Sequence, residues 1–318
     1  MYNLNPLAMN FVYHKSDFGD DATKKGCCSS LRAEFALSPF SMQETNGKTI
    51  DLQRTFSPTP KWGVCLVKIF LTGWALQVLI GDLLSYHGDT KTRSFWMAYL
   101  THWALTFAEF YLVLSLLRQC LTPDPNNTLS WFTKLLWGLY VTAMTLQESV
   151  TLLYWLVEYD PSLESVKYYG FMKHGGIMII CLVEGLIVNR VPLRIKQIIY
   201  PLVIAVLYLT WTLIHDLLLD VGNPSINNTP GDDDAIYQSI SWKNRPVDTL
   251  KTAAFTLFVV FPFMFMATYV LSLPMRRHVL KDDGNGSTRR SALEMFSRKK
   301  QSPTKSTNKK SAGVPVEF

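Results

Sequence analysis

The chain has 318 residues, of which 48% are hydrophobic and 18% charged, with a formal net charge of +6. A soluble domain carries roughly 25% charge, and here the charges collect in two tails and a few loops between long apolar runs. That distribution excludes a soluble globular protein and predicts an all-α polytopic membrane protein: apolar runs of about 20 residues match the hydrocarbon thickness, and isolated apolar strands cannot satisfy their backbone in lipid.

Residues 1–61 read as a polar cytosolic N-terminal tail without lasting periodicity. Its first stretch, MYNLNPLAMNFVYHKSDFGDD, has no basic region followed by an apolar run. No cleaved signal peptide is therefore expected, and targeting falls to the first membrane helix. The transmembrane domain spans 62–274. Its six helices are expected near 62–86, 95–117, 132–157, 171–188, 198–219 and 253–273, and the fourth is the shortest. Lys68 should snorkel to the near interface. Pro201 falls in a first turn, where its missing donor costs little. Pro262 falls mid-helix and predicts a kink. Trp62, Tyr86, Trp96, Trp131, Trp155 and Tyr200 mark the aromatic belts of two interfaces. Residues 275–318 are basic and rich in Ser, Thr and Asn, and read as a disordered cytosolic tail.

Positive charge sets the orientation. Arg118, Lys134, Arg190, Arg194, Lys196, Arg276 and Arg277 fall on one side of a six-helix arrangement, and the acidic segments around 158–170 and 220–251 on the other. The basic side is the cytosolic one, so both termini are expected in the cytosol. The sequon at Asn227 then falls outside, where it is a glycosylation candidate, and the sequon at Asn126 falls inside and is silent. The membrane is expected to be the endoplasmic reticulum or the plasma membrane. The cysteines, Cys27, Cys28, Cys65, Cys120 and Cys181, have no spacing that suggests a disulfide framework or a zinc site. No cofactor or resident metal is implied. Membrane lipids are the expected partners, and nucleic acid is not.

Ionisable residues within membrane spans are costly and face the interior. Here they are Glu109, Glu148 and Glu184, with His102, His174, His215 and Asp216 nearer helix ends. Under the inferred topology, Thr101, His102, His174 and His215 share one outer layer. His102, Thr106 and Glu109 form an inward stripe, as do Tyr208, Thr212 and His215, and Glu148 shares a face with Thr151. Taken on the residues alone, Thr101 reads as a structural hydroxyl bonding its own helix. The glutamates read as interior hydrogen-bonding groups.

The pattern as a set resembles a known family. Tyr99-Leu100-Thr101-His102-Trp103, Lys173-His174 with Glu184 ten residues later, Tyr208 to Trp211 followed by His215, and Ile236-Tyr237 before Ser241-Trp242 are similar to the rolling stone-like branch of the androgen-induced and androgen-dependent TFPI-regulating membrane protein family. The similarity covers about two-thirds of the chain. The broader family implies a membrane hydrolase acting on lipid esters such as fatty acid esters of hydroxy fatty acids, with Thr101 as nucleophile and His174 as its base. His102 or His215 would donate to the oxyanion, and Asp216 or Glu184 would orient the histidine. The rolling stone branch implies instead a non-enzymatic role in scaffolding, fusion or transport. His102 directly after the threonine, the long tails and the longer acidic loop depart from the hydrolases. A metal site built from His102, His174 and His215 is a further reading.

Overall fold

The computed structural model describes residues 33–43, 48–51, 55–56, 61–85, 96–121, 129–159, 161–162, 165–218, 236–237 and 239–279. They lie within one compact unit ending at Leu280. Among them every regular element is helical, apart from isolated bridges at Gln43–Thr49 and Tyr237–Ile240. The helices are α1 (Lys61–Ser85) and α2 (Leu100–Cys120, entered through a 3-10 turn at Trp96–Ala98). Next come α3 (Trp131–Leu153, extended by a π turn at Tyr154–Glu158) and α4 (Tyr168–Val188, with two π turns). Then follow α5 (Ile195–Leu218) and α6 (Pro246–Val279). The segment 281–318, the Cys27–Cys28 pair and the sequons at Asn126 and Asn227 lie outside the described residues.

Five of these helices, α1, α2, α4, α5 and α6, are long and apolar enough to cross a membrane. The exception, α3, is long enough, but its middle carries Thr142, Thr145, Gln147, Glu148 and Ser149, all buried. It packs against α2, α4, α5 and α6. Protein packs around its polar middle, while Trp131, Leu135, Leu156 and Val157 towards its ends are exposed, so the polar groups are kept inside. By contrast, α1 exposes Leu66, Ile69, Phe70, Ile80 and Leu84, as a helix on the perimeter does.

The helix limits correct several sequence expectations. α4 begins at Tyr168 and is as long as α2, at 21 residues each. α6 is the longest. Pro246 opens it, where a missing N–H is harmless. A π turn at Thr256–Val260 precedes Pro262, the kind of local rewinding that absorbs a proline's lost bond. The helix also runs through Pro274 to Val279, beyond the expected end at 273.

The alternating helix directions bring side chains to two ends. One, the Asp82 end, holds Asp82, His102, Tyr154 and His174. The other, the Arg194 end, holds Trp137, Arg194 and Arg276. Between them α4 and α3 approach closely: a Cβ at Gly185 would overlap the Tyr140 ring, so only glycine lets this pair pack so near.

At the Arg194 end the chain departs most from its sequence reading. Ile50 and Phe56 of the supposed tail are fully buried. Phe40 lies on Trp137 and Tyr200, with ring centroids at 5.9 and 5.7 Å. Glu34 pairs with Arg194 at 3.4 Å and Arg276 at 3.3 Å. Arg194 also donates to the carbonyls of Ser41 and Gln43 at 3.1 and 3.0 Å, and Arg276 to that of Leu193. A buried guanidinium needs such acceptors, and Glu34, Ser41 and Gln43 of the N-terminal segment supply most of them.

Candidate functional site

The Asp82 end collects the polar residues singled out in the sequence, around a carboxylate that was not. Asp82 sits near the end of α1, its side chain only 2% exposed. Its Oδ2 lies 2.9 Å from His102 Nε2 and accepts from Trp96 Nε1 at 3.0 Å. Its Oδ1 accepts from Lys173 Nζ at 2.9 Å. The other His102 nitrogen, Nδ1, faces the Trp96 carbonyl. Trp96 completes the clamp by stacking on His102, with centroids 4.3 Å apart. It is therefore an interior residue rather than part of an aromatic belt. Asp82 could not be found from the pattern, because an acid one turn from a helix end reads as an interfacial group.

Thr101 differs from the threonines that bond their own helix. Thr106, Thr142, Thr151 and Thr210 each donate to the carbonyl four residues back, the usual membrane-helix habit. Thr101 instead lies beside the phenol of Tyr237, which accepts from the Leu100 N–H at 3.0 Å. Tyr237 belongs to the segment before α6, and burial pushes its phenol up to about 12. Tyr208 of α5 donates to the Ala98 carbonyl at 2.9 Å, so three elements converge on the start of α2.

His174 is buried in the first turns of α4. Its ring stacks on Tyr154 with centroids 3.5 Å apart and planes within 2°. Trp155 Nε1 donates to its carbonyl at 2.9 Å. Its Nδ1 has no hydrogen-bond partner among the described residues. Asp82, Lys173 and His102 are the charged groups that act on it. His215 is buried beside Trp211, with centroids at 5.6 Å. Asp216 is the neighbouring acid that acts on His215, and its Oδ2 accepts from the Trp242 and Lys243 amides at 2.5 and 3.2 Å, which ties it to the turn before α6.

The remaining glutamates lie deeper. Glu148 accepts from Thr268 Oγ1 at 2.6 Å. Glu184 Oε1 accepts from Ser115 and from Asn189 Nδ2, the latter at 2.8 Å, and lies 3.6 Å from Lys68 Nζ. Lys68 is thus a fully buried interior residue that also donates to Ser115 Oγ at 3.0 Å. It does not snorkel: Glu184 and Ser115 hold its ammonium inside the protein. Glu109 is buried with both carboxylate oxygens unpartnered among the described residues.

Chemically, the Asp82 end offers a buried Asp–His–Lys cluster, a threonine beside a buried phenol, and an imidazole nitrogen with no hydrogen-bond partner among the described residues. Among the described residues no group of three or more His, Cys, Asp or Glu side chains is placed to hold a metal ion. An apolar groove of about 190 Å³ lies between α3 and α6, lined by Leu152, Leu153, Leu156, Val157, Phe255 and Val259 among others. Its α3 residues flank Tyr154 and Trp155, which touch His174. Compared with protein-family models, curated proteins and solved structures, the chain matches none.

Proposed function

We propose that the chain is a six-pass membrane protein of the rolling stone-like type, with both tails in the cytosol, that hydrolyses lipid esters at the Asp82 end. α3 is the sixth crossing, shielded from lipid by its neighbours. The carrying observation is that Thr101, beside the buried phenol of Tyr237, stands at the same end as His174, whose Nδ1 has no hydrogen-bond partner among the described residues.

In this reading His174 takes the proton of the Thr101 hydroxyl as Oγ attacks the ester carbonyl. The alkoxide leaves with a proton returned by the imidazole, and water then resolves the threonyl ester. Tyr237, neutral at working pH, is the candidate oxyanion donor beside the nucleophile. His102 is held by Asp82 and Trp96 and serves the shape of the site, while the apolar groove between α3 and α6 suits an acyl chain.

The test is labelling of the full-length protein in membranes by a fluorophosphonate hydrolase probe, comparing wild type with Thr101→Ala and His174→Ala. Loss of label in both variants is expected. Equal labelling of all three removes the nucleophile assignment.

A further inference from the structure

The seam where α2, α3 and α4 meet holds a file of buried polar atoms without hydrogen-bond partners among the described residues. Tyr140, Gln147 and Tyr154 fall on one stripe of α3, at i, i+7 and i+14. Both ends of that stripe pack on α4: Tyr154 stacks on His174, and Tyr140 meets Gly185. The middle residue, Gln147, therefore faces the same seam. By their places along α2, α3 and α4, unpartnered atoms fall in sequence along it. His174 Nδ1 lies towards the Asp82 end, both amide atoms of Gln147 and both oxygens of Glu109 lie midway, and Tyr140 Oη and Glu184 Oε2 lie towards the Arg194 end.

Glu109 occupies the middle of this file. On α2 it falls seven residues after His102 and six before Ser115, about 10 Å from each at the helical rise. Glu109 and Glu184 both act on the Cys181 thiol, and Glu184 and Glu148 both act on the Tyr140 phenol. The carboxylates on α2, α3 and α4 are thus electrostatic neighbours through these two side chains. Lys68 is the cation of the group, and it is taken by Glu184 and Ser115.

Unpartnered polar groups are costly inside a membrane protein, and native structures satisfy them with water or an ion. Oxygen-rich donors could suit a cation, but no group of acidic, His or Cys side chains among the described residues is placed to hold one. A proton needs no such cage. Carboxylates in file within spans are the usual material of proton relays.

We propose that the α2–α3–α4 seam is a proton path between the Asp82–His102–Lys173 cluster and the Lys68–Glu184 cluster, with Glu109 as its midway carrier. Each hop breaks one O–H or N–H bond as the next forms, between side chains and single bridging waters. Glu109 alternates between carboxyl and carboxylate, and no co-reactant is consumed. Lys173, whose side chain is 21% exposed, gives the file an opening at the Asp82 end. The path does not depend on Thr101 chemistry.

The test is proton flux into liposomes containing the full-length protein and trapped pyranine, driven by a potassium gradient with valinomycin. Wild type should acidify the lumen several-fold faster than protein-free vesicles. Glu109→Gln should fall to the protein-free rate, and Glu109→Asp, which keeps a carboxylate, should retain most of the flux. Co-elution of each variant with wild type on gel filtration is the folding check, and Glu109→Asp against wild type decides if Glu109→Gln fails it. Wild-type flux no faster than protein-free vesicles overturns the proposal. So does Glu109→Gln flux equal to wild type, or a flux that requires sodium.

Discussion

Asp82 Oδ2 and His102 Nε2 lie 2.9 Å apart, joining the end of α1 to the start of α2. Each partner is also bound to Trp96, through its indole N–H and its carbonyl. This contact turns two perimeter-to-interior helices into a fixed frame around Thr101 and His174.

Removing the acid from that frame should be costly. Asp82→Ala leaves the His102 ring and the Lys173 ammonium without their shared carboxylate. A broken buried pair costs about 3–5 kcal/mol. Thermal unfolding in detergent should show a large drop for Asp82→Ala and a smaller one for Lys173→Met, which leaves the His102 contact in place. Equal drops would mean that the lysine, not the histidine, is the main partner.

The N-terminal segment should behave as part of the folded unit. Glu34→Ala takes the shared carboxylate from two buried guanidiniums, and a loss of about 3 kcal/mol is expected. Limited proteolysis should then cut within 33–56 far faster than in wild type. Unchanged protection would show that the segment is held by Phe40, Ile50 and Phe56 alone.

Gly185 sets the approach of α4 to α3. Gly185→Ala drives a methyl into the Tyr140 ring, and overpacking of this kind costs about 1–3 kcal/mol. Combining it with Tyr140→Leu should recover part of the loss. A purely additive double mutant would place the strain elsewhere.

Tyr237 gives a pH signature. Its folded phenol ionises near 12, against about 10 for a free tyrosine. The unfolded chain therefore loses the proton first as pH rises. The contribution is whole below pH 10 and is lost as pH climbs towards 12. Unfolding followed between pH 9 and 12 should fall more steeply for wild type than for Tyr237→Phe.

The topology has a direct readout. Glycosidase treatment should shift the wild-type protein on a gel, and Asn227→Gln should abolish the shift while Asn126→Gln leaves it. A shift that depends on Asn126 inverts the orientation.

The sequence by itself determined the helical membrane character, the positions of the main helices and the inward facing of His102, His174, His215 and the three glutamates. These follow from local rules: apolar length, proline placement and the cost of charge in lipid act along the chain. Only the tertiary structure decided which side chains meet. Asp82 joins His102 across two helices, and Lys68 turns inward to Glu184 rather than outward. Asp216 is spent on the Trp242 turn, and Glu34 draws a polar tail onto the Arg194 end. Ion pairs and hydrogen bonds depend on distances between segments far apart in sequence, and no periodicity records them. The same holds for Thr101. Its residue type is legible in the chain, but only packing brings Tyr237, from the segment before α6, beside it.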